Sequence, residues 1–167
     1  MGEGQSLGSR GLSTVVYSEK QSRDDANELL NAAVNYARRM LRKYGEFGPF
    51  AFSLNEQREL VNETAPHKDL PPDPEMLLDL LRQELAERSG SKEIIAAATA
   101  ANVTLAKASE EGFSDALLVE IEHQNGYCIK AFVPYRMAGG QLLGLLPRVV
   151  RFGAVQVQNG AARLFAH

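Results

Sequence analysis

Residues 115–133, DALLVEIEHQNGYCIKAFV, decide the fold. Leu117, Val119 and Ile121 alternate with Leu118, Glu120 and Glu122, and alternation resumes from Tyr127 to Val133, the period of two that half-buried strands show. Asn125-Gly126 between the two runs signals a hairpin, and the flanking side chains choose its length. A two-residue loop would set Ile121 against Lys130 and Val119 against Phe132, mixing apolar with polar. A three-residue loop, Gln124-Asn125-Gly126 with Gly126 left-handed, pairs His123 with Tyr127, Ile121 with Ile129, Val119 with Ala131 and Leu117 with Val133. One face is then uniformly apolar, while the other pairs Glu120 with Lys130 and Glu122 with Cys128. The second register is the one expected.

Upstream, Ile94 to Ala106 carries six alanines that favour a helix, but also Ile94, Ile95, Thr99, Val103 and Thr104, which favour a strand. It is taken as a strand. Before it, Asp73-Pro74 supplies a capping carboxylate and a preorganised first helical residue, and Met76, Leu77, Leu80, Leu81 and Leu85 continue an apolar stripe to Gly90. Phe50, Phe52 and Leu54 alternate as a further strand, with a turn at Asn55-Glu56 into a second one over Gln57–Asn62. Thr64 to Pro72, with three prolines, reads as a connecting loop. Asp24 to Tyr44 is amphipathic, with Ser22 as its cap and Gly45 as its stop. Its acids Asp24, Asp25 and Glu28 come first and Arg38, Arg39, Arg42 and Lys43 last, the order that complements the helix dipole. The Gly- and Ser-rich residues 1–22 are expected to be a flexible leader to a single domain over 23–167.

Downstream, Gly139-Gly140 breaks the chain, Leu142 to Val150 is apolar around Pro147, and Val155 and Val157 are placed to face Leu164 and Ala162 across Asn159-Gly160. Charge changes here. All 21 acidic residues precede Pro134, so residues 134–167 carry +4 from Arg136, Arg148, Arg151 and Arg163, while the preceding 133 carry −7, giving −3 overall. Forty-four per cent hydrophobic and 23% charged residues are ordinary for a folded domain. With no long apolar run and no secretory pattern in the first twenty residues, the expected compartment is the cytoplasm and no membrane partner is expected.

Motifs that would name a reaction are missing from the sequence. In Glu120-Ile121-Glu122-His123 the side chains alternate across a strand, so three of them cannot converge on one metal ion. Cys128, the single cysteine, lies beside Glu122 in the expected register, and a carboxylate neighbour raises a thiol's pKa, the wrong direction for a nucleophile. No nucleophile elbow and no glycine-rich phosphate loop occurs. Four arginines in 34 residues are too sparse for a nucleic-acid footprint. Arginine and aromatic residues without lysine or acid are, however, the composition of a covered protein interface, so Tyr135, Arg136, Arg148, Arg151, Phe152 and Arg163 become candidate interface residues.

These elements predict an α+β two-layer domain: an antiparallel sheet of about five strands in helix-β-β-helix-β-β-β order, an added C-terminal hairpin or helix, and helices packed on one face. The order resembles that of profilin-like, GAF-like and roadblock-type modules, which implies ligand sensing, scaffolding or dimerisation and transfers no site. The expected function is a non-catalytic interaction module, a homodimer or the binder of a protein partner through 134–167, with no cofactor and no nucleic acid. The alternative is a ligand sensor or small enzyme with a pocket between sheet and helices.

Overall fold

In the computed structural model the decisive hairpin forms in the register that the side chains select. The structure describes residues 6–63, 73–142 and 144–166, with backbone alone for 6–18. Its elements are α1 (Ser6–Tyr44), β1 (Phe50–Asn55), β2 (Leu60–Asn62), α2 (Pro74–Gly90), β3 (Ile94–Thr104), β4 (Asp115–His123), β5 (Cys128–Ala138), β6 (Val149–Phe152) and β7 (Gln156–Asn159). Ile121 pairs with Ile129, Val119 with Ala131, Leu117 with Val133, Glu120 with Lys130 and Glu122 with Cys128. The His123 amide donates to the Tyr127 carbonyl at 2.9 Å and closes the three-residue loop.

The chain is α+β with one antiparallel sheet, in the order β2-β1-β3-β4-β5-β6. β3 is a strand, as its β-branched residues suggest. β6 and β7 share the outer edge of β5. β6 pairs with Tyr135–Ala138 and β7 with Ile129–Phe132. Between them the chain kinks at Gly153–Val155, where the Gly153 amide donates to Pro134 O at 2.7 Å and the Ala154 amide to the Glu111 carboxylate at 2.9 Å.

α1 forms the helical layer on one face. Its Ala26, Leu29, Ala33, Ala37 and Leu41 meet Phe50, Phe52 and Leu54, the alanines Ala96, Ala98 and Ala100, and Leu117, Val119 and Ile121. Alanines on both sides let the helix sit close, and each large aliphatic chain fully buried there contributes about 1.5–3 kcal/mol. Tyr36, Phe50 and Phe52 fill the wider end, with ring centroids 4.4 Å apart for Tyr36–Phe50.

α2 starts as its sequence requires: the Asp73 carboxylate accepts from the Glu75 amide and Pro74 occupies the first turn. Its Leu77, Leu81 and Leu85 pack on Ala51, Ala97 and Ile94. Ala51 and Ala97 alternate with the residues under α1, so the two helices use opposite sides of β1 and β3. Both sides of these central strands are apolar, and a period-two pattern in one strand cannot tell which helix takes which side.

Other expectations change. α1 begins at Ser6, inside the stretch read as a leader, and runs through Ser22, which is buried within it and is not its cap. β2 starts at Leu60 because Arg58 takes a left-handed turn conformation, φ 59°. The expected pairing of Val155 and Val157 with Leu164 and Ala162 does not form, because β7 ladders onto β5 and the chain leaves the edge after Gly160. The proline-containing stretch 64–72, His67 and His167 lie outside the described residues. Among the described residues no helix is long and apolar enough to cross a membrane.

Gly139 closes the base of the β5–β6 hairpin with φ 89°, and a methyl group there would fall 2.0 Å from the Pro147 carbonyl oxygen. Gly139→Ala is therefore expected to cost about 1–3 kcal/mol, read as a lower urea midpoint at unchanged slope. A wild-type midpoint would show that the hairpin base yields freely.

Candidate interface and the buried polar clusters

Ile121, Glu122 and His123, consecutive on β4, point alternately through the sheet, and each polar member ends in a closed cluster. His123 faces α1 and is 2% exposed, with its Nε2 2.9 Å from Oδ2 of Asp25, itself 1% exposed. Its Nδ1 accepts the Asn125 amide at 3.2 Å, which leaves the ring proton on Nε2 to be donated to Asp25. Arg58 Nε and Gln21 Nε2 donate to the other Asp25 oxygen at 3.1 and 3.2 Å. Burial pushes the Asp25 carboxyl upward, but the hydrogen bonds from His123, Gln21 and Arg58, with the Arg58 charge, outweigh it and hold the group below its ordinary range. Both imidazole nitrogens are engaged within the protein, so this pair joins α1 to β4 and to the β1–β2 turn and presents no free base.

Glu122 faces the other side and is also buried. Its two oxygens accept the amides of Arg163, Leu164 and Phe165 at 2.8, 2.7 and 3.3 Å. The Ser89 hydroxyl of α2 meets the Leu164 carbonyl, and Leu164 itself completes the apolar cluster under α2. Neighbouring Glu120 holds Arg82 at 3.1 Å, Lys130 at 3.6 Å and Arg163 at 4.0 Å. Burial pushes the Cys128 thiol up and the Glu122 charge adds to it, the direction expected from the register. Among the described residues no group of three or more His, Cys, Asp or Glu is arranged to hold a metal ion.

The six candidate interface residues do not form one surface. Tyr135 is buried, its hydroxyl donating to Asn102 Oδ1 at 2.8 Å and its pKa pushed up to about 12 by burial and then by Asp115, so it serves the core. Phe152 is half-buried beside it, with the Arg38 guanidinium 5.1 Å over its ring. Arg148 reaches across to α1 and donates to the carbonyls of Arg42 and Lys43 at 3.3 and 3.1 Å, satisfying acceptors that a helix end leaves open. Arg163 is held beside Glu120. Arg136, which stacks over Phe113 at 5.2 Å, and Arg151 remain exposed, directly opposite each other across β5 and β6.

Sequence reasoning missed the outward-facing leucines. Leu142 is 70% and Leu145 82% exposed, with Leu146, Val149 and Met137 also open at the same hairpin. The run from Leu142 to Val150 had been visible only as apolar weight. Its signal was local: Gly139, Gly140 and Gly144 all take positive φ, as does Leu142, so the backbone curls tightly and leaves these side chains outside. Arg148 packs against Gly45 and Gly140 and fixes the curl beside the exposed Tyr44 at the end of α1.

A crevice of about 390 Å³ lies between α2 and the end of β3, lined by Pro49, Pro74, Leu78, Ala101 and Val103, with Glu75 and Asn102 as its polar side chains. One of the two, Asn102, is already bonded to the Tyr135 hydroxyl. Comparison with protein-family models, curated proteins and solved structures gives no match.

Replacing Asp25 by alanine leaves the buried His123 Nε2–H and Arg58 without their carboxylate and is expected to cost about 1–3 kcal/mol, read by chemical denaturation. A folded pKa below the unfolded one means the carboxylate's contribution is complete above the ordinary aspartate range and drains away as pH falls through the lowered value. The stability gap between wild type and Asp25→Ala should therefore narrow on acidification below about pH 4. A gap that stays constant from neutral pH down to pH 2 would contradict this assignment.

Proposed function

We propose that the chain is a non-catalytic interaction module that binds a protein partner through the β5–β6 hairpin. The observation that carries this is the apolar tip, Met137, Leu142, Leu145, Leu146 and Val149, open to solvent on a backbone curl fixed by three glycines and Arg148. Several large apolar side chains exposed together at one hairpin tip are unfavourable for an isolated chain and are typical of surfaces that another molecule covers. The rim has a sign. Arg42, Lys43, Arg136, Arg148 and Arg151 border the tip, with Glu46 as the carboxylate near the end of α1. Arg136 and Arg151 stand opposite each other on one sheet face, a like-charge pairing that disfavours the free sheet and that an anionic group would relieve. The partner this fits offers an apolar centre and an acidic border. The internal satisfaction of His123 and Asp25 supports a binding role over a catalytic one.

Leu142→Ser/Leu145→Ser removes the apolar tip without touching the core, so its thermal midpoint should match wild type. Affinity capture from the native extract should retain a defined protein on wild-type chain, lose it with the double variant, and weaken at high salt. Identical capture by both chains sinks the reading. Sedimentation of wild type, but not of the variant, with anionic lipid vesicles would replace the protein partner by a lipid surface and equally overturn it.

A further inference from the structure

The two edges of the sheet are built differently. β2 is three residues long and flanked by Arg58, Glu59 and Glu63, and the β6 part of the opposite edge contains Arg151. Short length and charge are the usual protections of an edge against pairing with another chain. β7 is also short, at four residues, but has no charge protection: residues 152–162, FGAVQVQNGAA, contain no charged side chain and no proline. β7 pairs with β5 on one side, and all four of its residues, Gln156–Asn159, are exposed. On the face shared with α1, Val157 is 57% exposed and borders a groove of about 490 Å³ with Tyr127 and Ile129.

From this edge we infer that two copies of the chain associate through β7, antiparallel about a two-fold axis normal to the sheet. The segment is self-complementary. Centring the axis on Val157 sets Val157 against Val157 and Gln156 against Gln158 of the second copy. Opposed residues of an antiparallel pair share a face, so the valines of both copies extend one apolar strip beside α1 and the glutamine amides, each donor and acceptor, meet on the other side. No charge faces a like charge, which for a homodimer is the complementarity required. A foreign strand would gain nothing from this symmetry, and neither flank offers a charge to select one. A ladder this short buries less than a standard interface, so the dissociation constant should be on the order of 10–100 µM.

Sedimentation velocity of the full chain from micromolar to about 0.5 mM should show mass rising from 18.3 kDa towards twice that value. Val157→Lys places two ammonium groups across the axis and should remain monomeric throughout at an unchanged thermal midpoint, whereas Val157→Thr should dimerise as wild type. In a Cys128→Ser background, Val157→Cys should cross-link to its copy under oxidised glutathione and Gln158→Cys should not, since residue 158 is displaced from its own copy by two positions. A wild-type chain monomeric over the whole range, or a Val157→Lys chain that dimerises equally, overturns the inference. Loss of the dimer in Leu142→Ser/Leu145→Ser would do so as well, by moving self-contact to the hairpin tip. Retention of the dimer in that variant, together with loss of the captured protein, keeps the two surfaces separate.

Discussion

A slip of one residue at the turn 124–126 would carry every side chain of β5 to the opposite face, and with it most of what holds the molecule together. The present register keeps Ile129, Ala131 and Val133 under α1 and sends Cys128, Lys130 and Phe132 to the other side. It also fixes the end of β4, where three neighbours serve three regions. Ile121 belongs to the core, His123 binds Asp25 of α1, and Glu122 binds the amides of residues 163–165. The alternation of one strand end thus ties the first helix and the last residues of the chain to the same hairpin.

The two polar members of that trio work in different ways. Asp25 and His123 are both almost fully buried, so their bond is made where water cannot compete, and removal of either takes away the bond at the facing Oδ2 or Nε2 of the other. Glu122 satisfies backbone donors that no strand or helix pairs, in a segment that has left the sheet. A buried carboxylate is unfavourable alone, and three amides within hydrogen-bonding reach offset that. Leu164 enters between α2 and the sheet on this anchor. The segment therefore needs no strand pairing of its own, which explains why the chain can abandon the edge after Gly160.

Legibility in the sequence followed the range of each interaction. The turn register, the Asp73-Pro74 helix start and the strand character of 94–104 rest on neighbours a few residues apart, and each could be argued from local pattern. The pairing of Val155 and Val157 could not: alternation suits any antiparallel partner, and β5 offered a longer ladder than residues 162–164. The joint of Asp25 with His123 spans 98 positions, and His123 was legible as core-facing without its partner. The tail amides on Glu122 carry no side-chain signature. The assignment of α1 and α2 to opposite sides of β1 and β3 was hidden because both sides of those strands are apolar.

The arginine-only composition of residues 134–167 mixed several physical roles. Arg148 completes a helix end, and Arg163 lies against Glu120, so these two answer needs of the fold. Tyr135 answers another, since its ring lies between Phe47 and Phe152 and its hydroxyl is bonded. Subtracting these leaves Arg151 and Arg136, the latter also stacked over Phe113, as a like-charge pair beside an apolar curl. A sheet that had only its own stability to satisfy would gain by replacing one of the two with a carboxylate, which would turn a repulsive cross-strand pair into an attractive one worth a few tenths to about 1 kcal/mol. Their coexistence next to exposed leucines therefore answers no need of the sheet's own pairing.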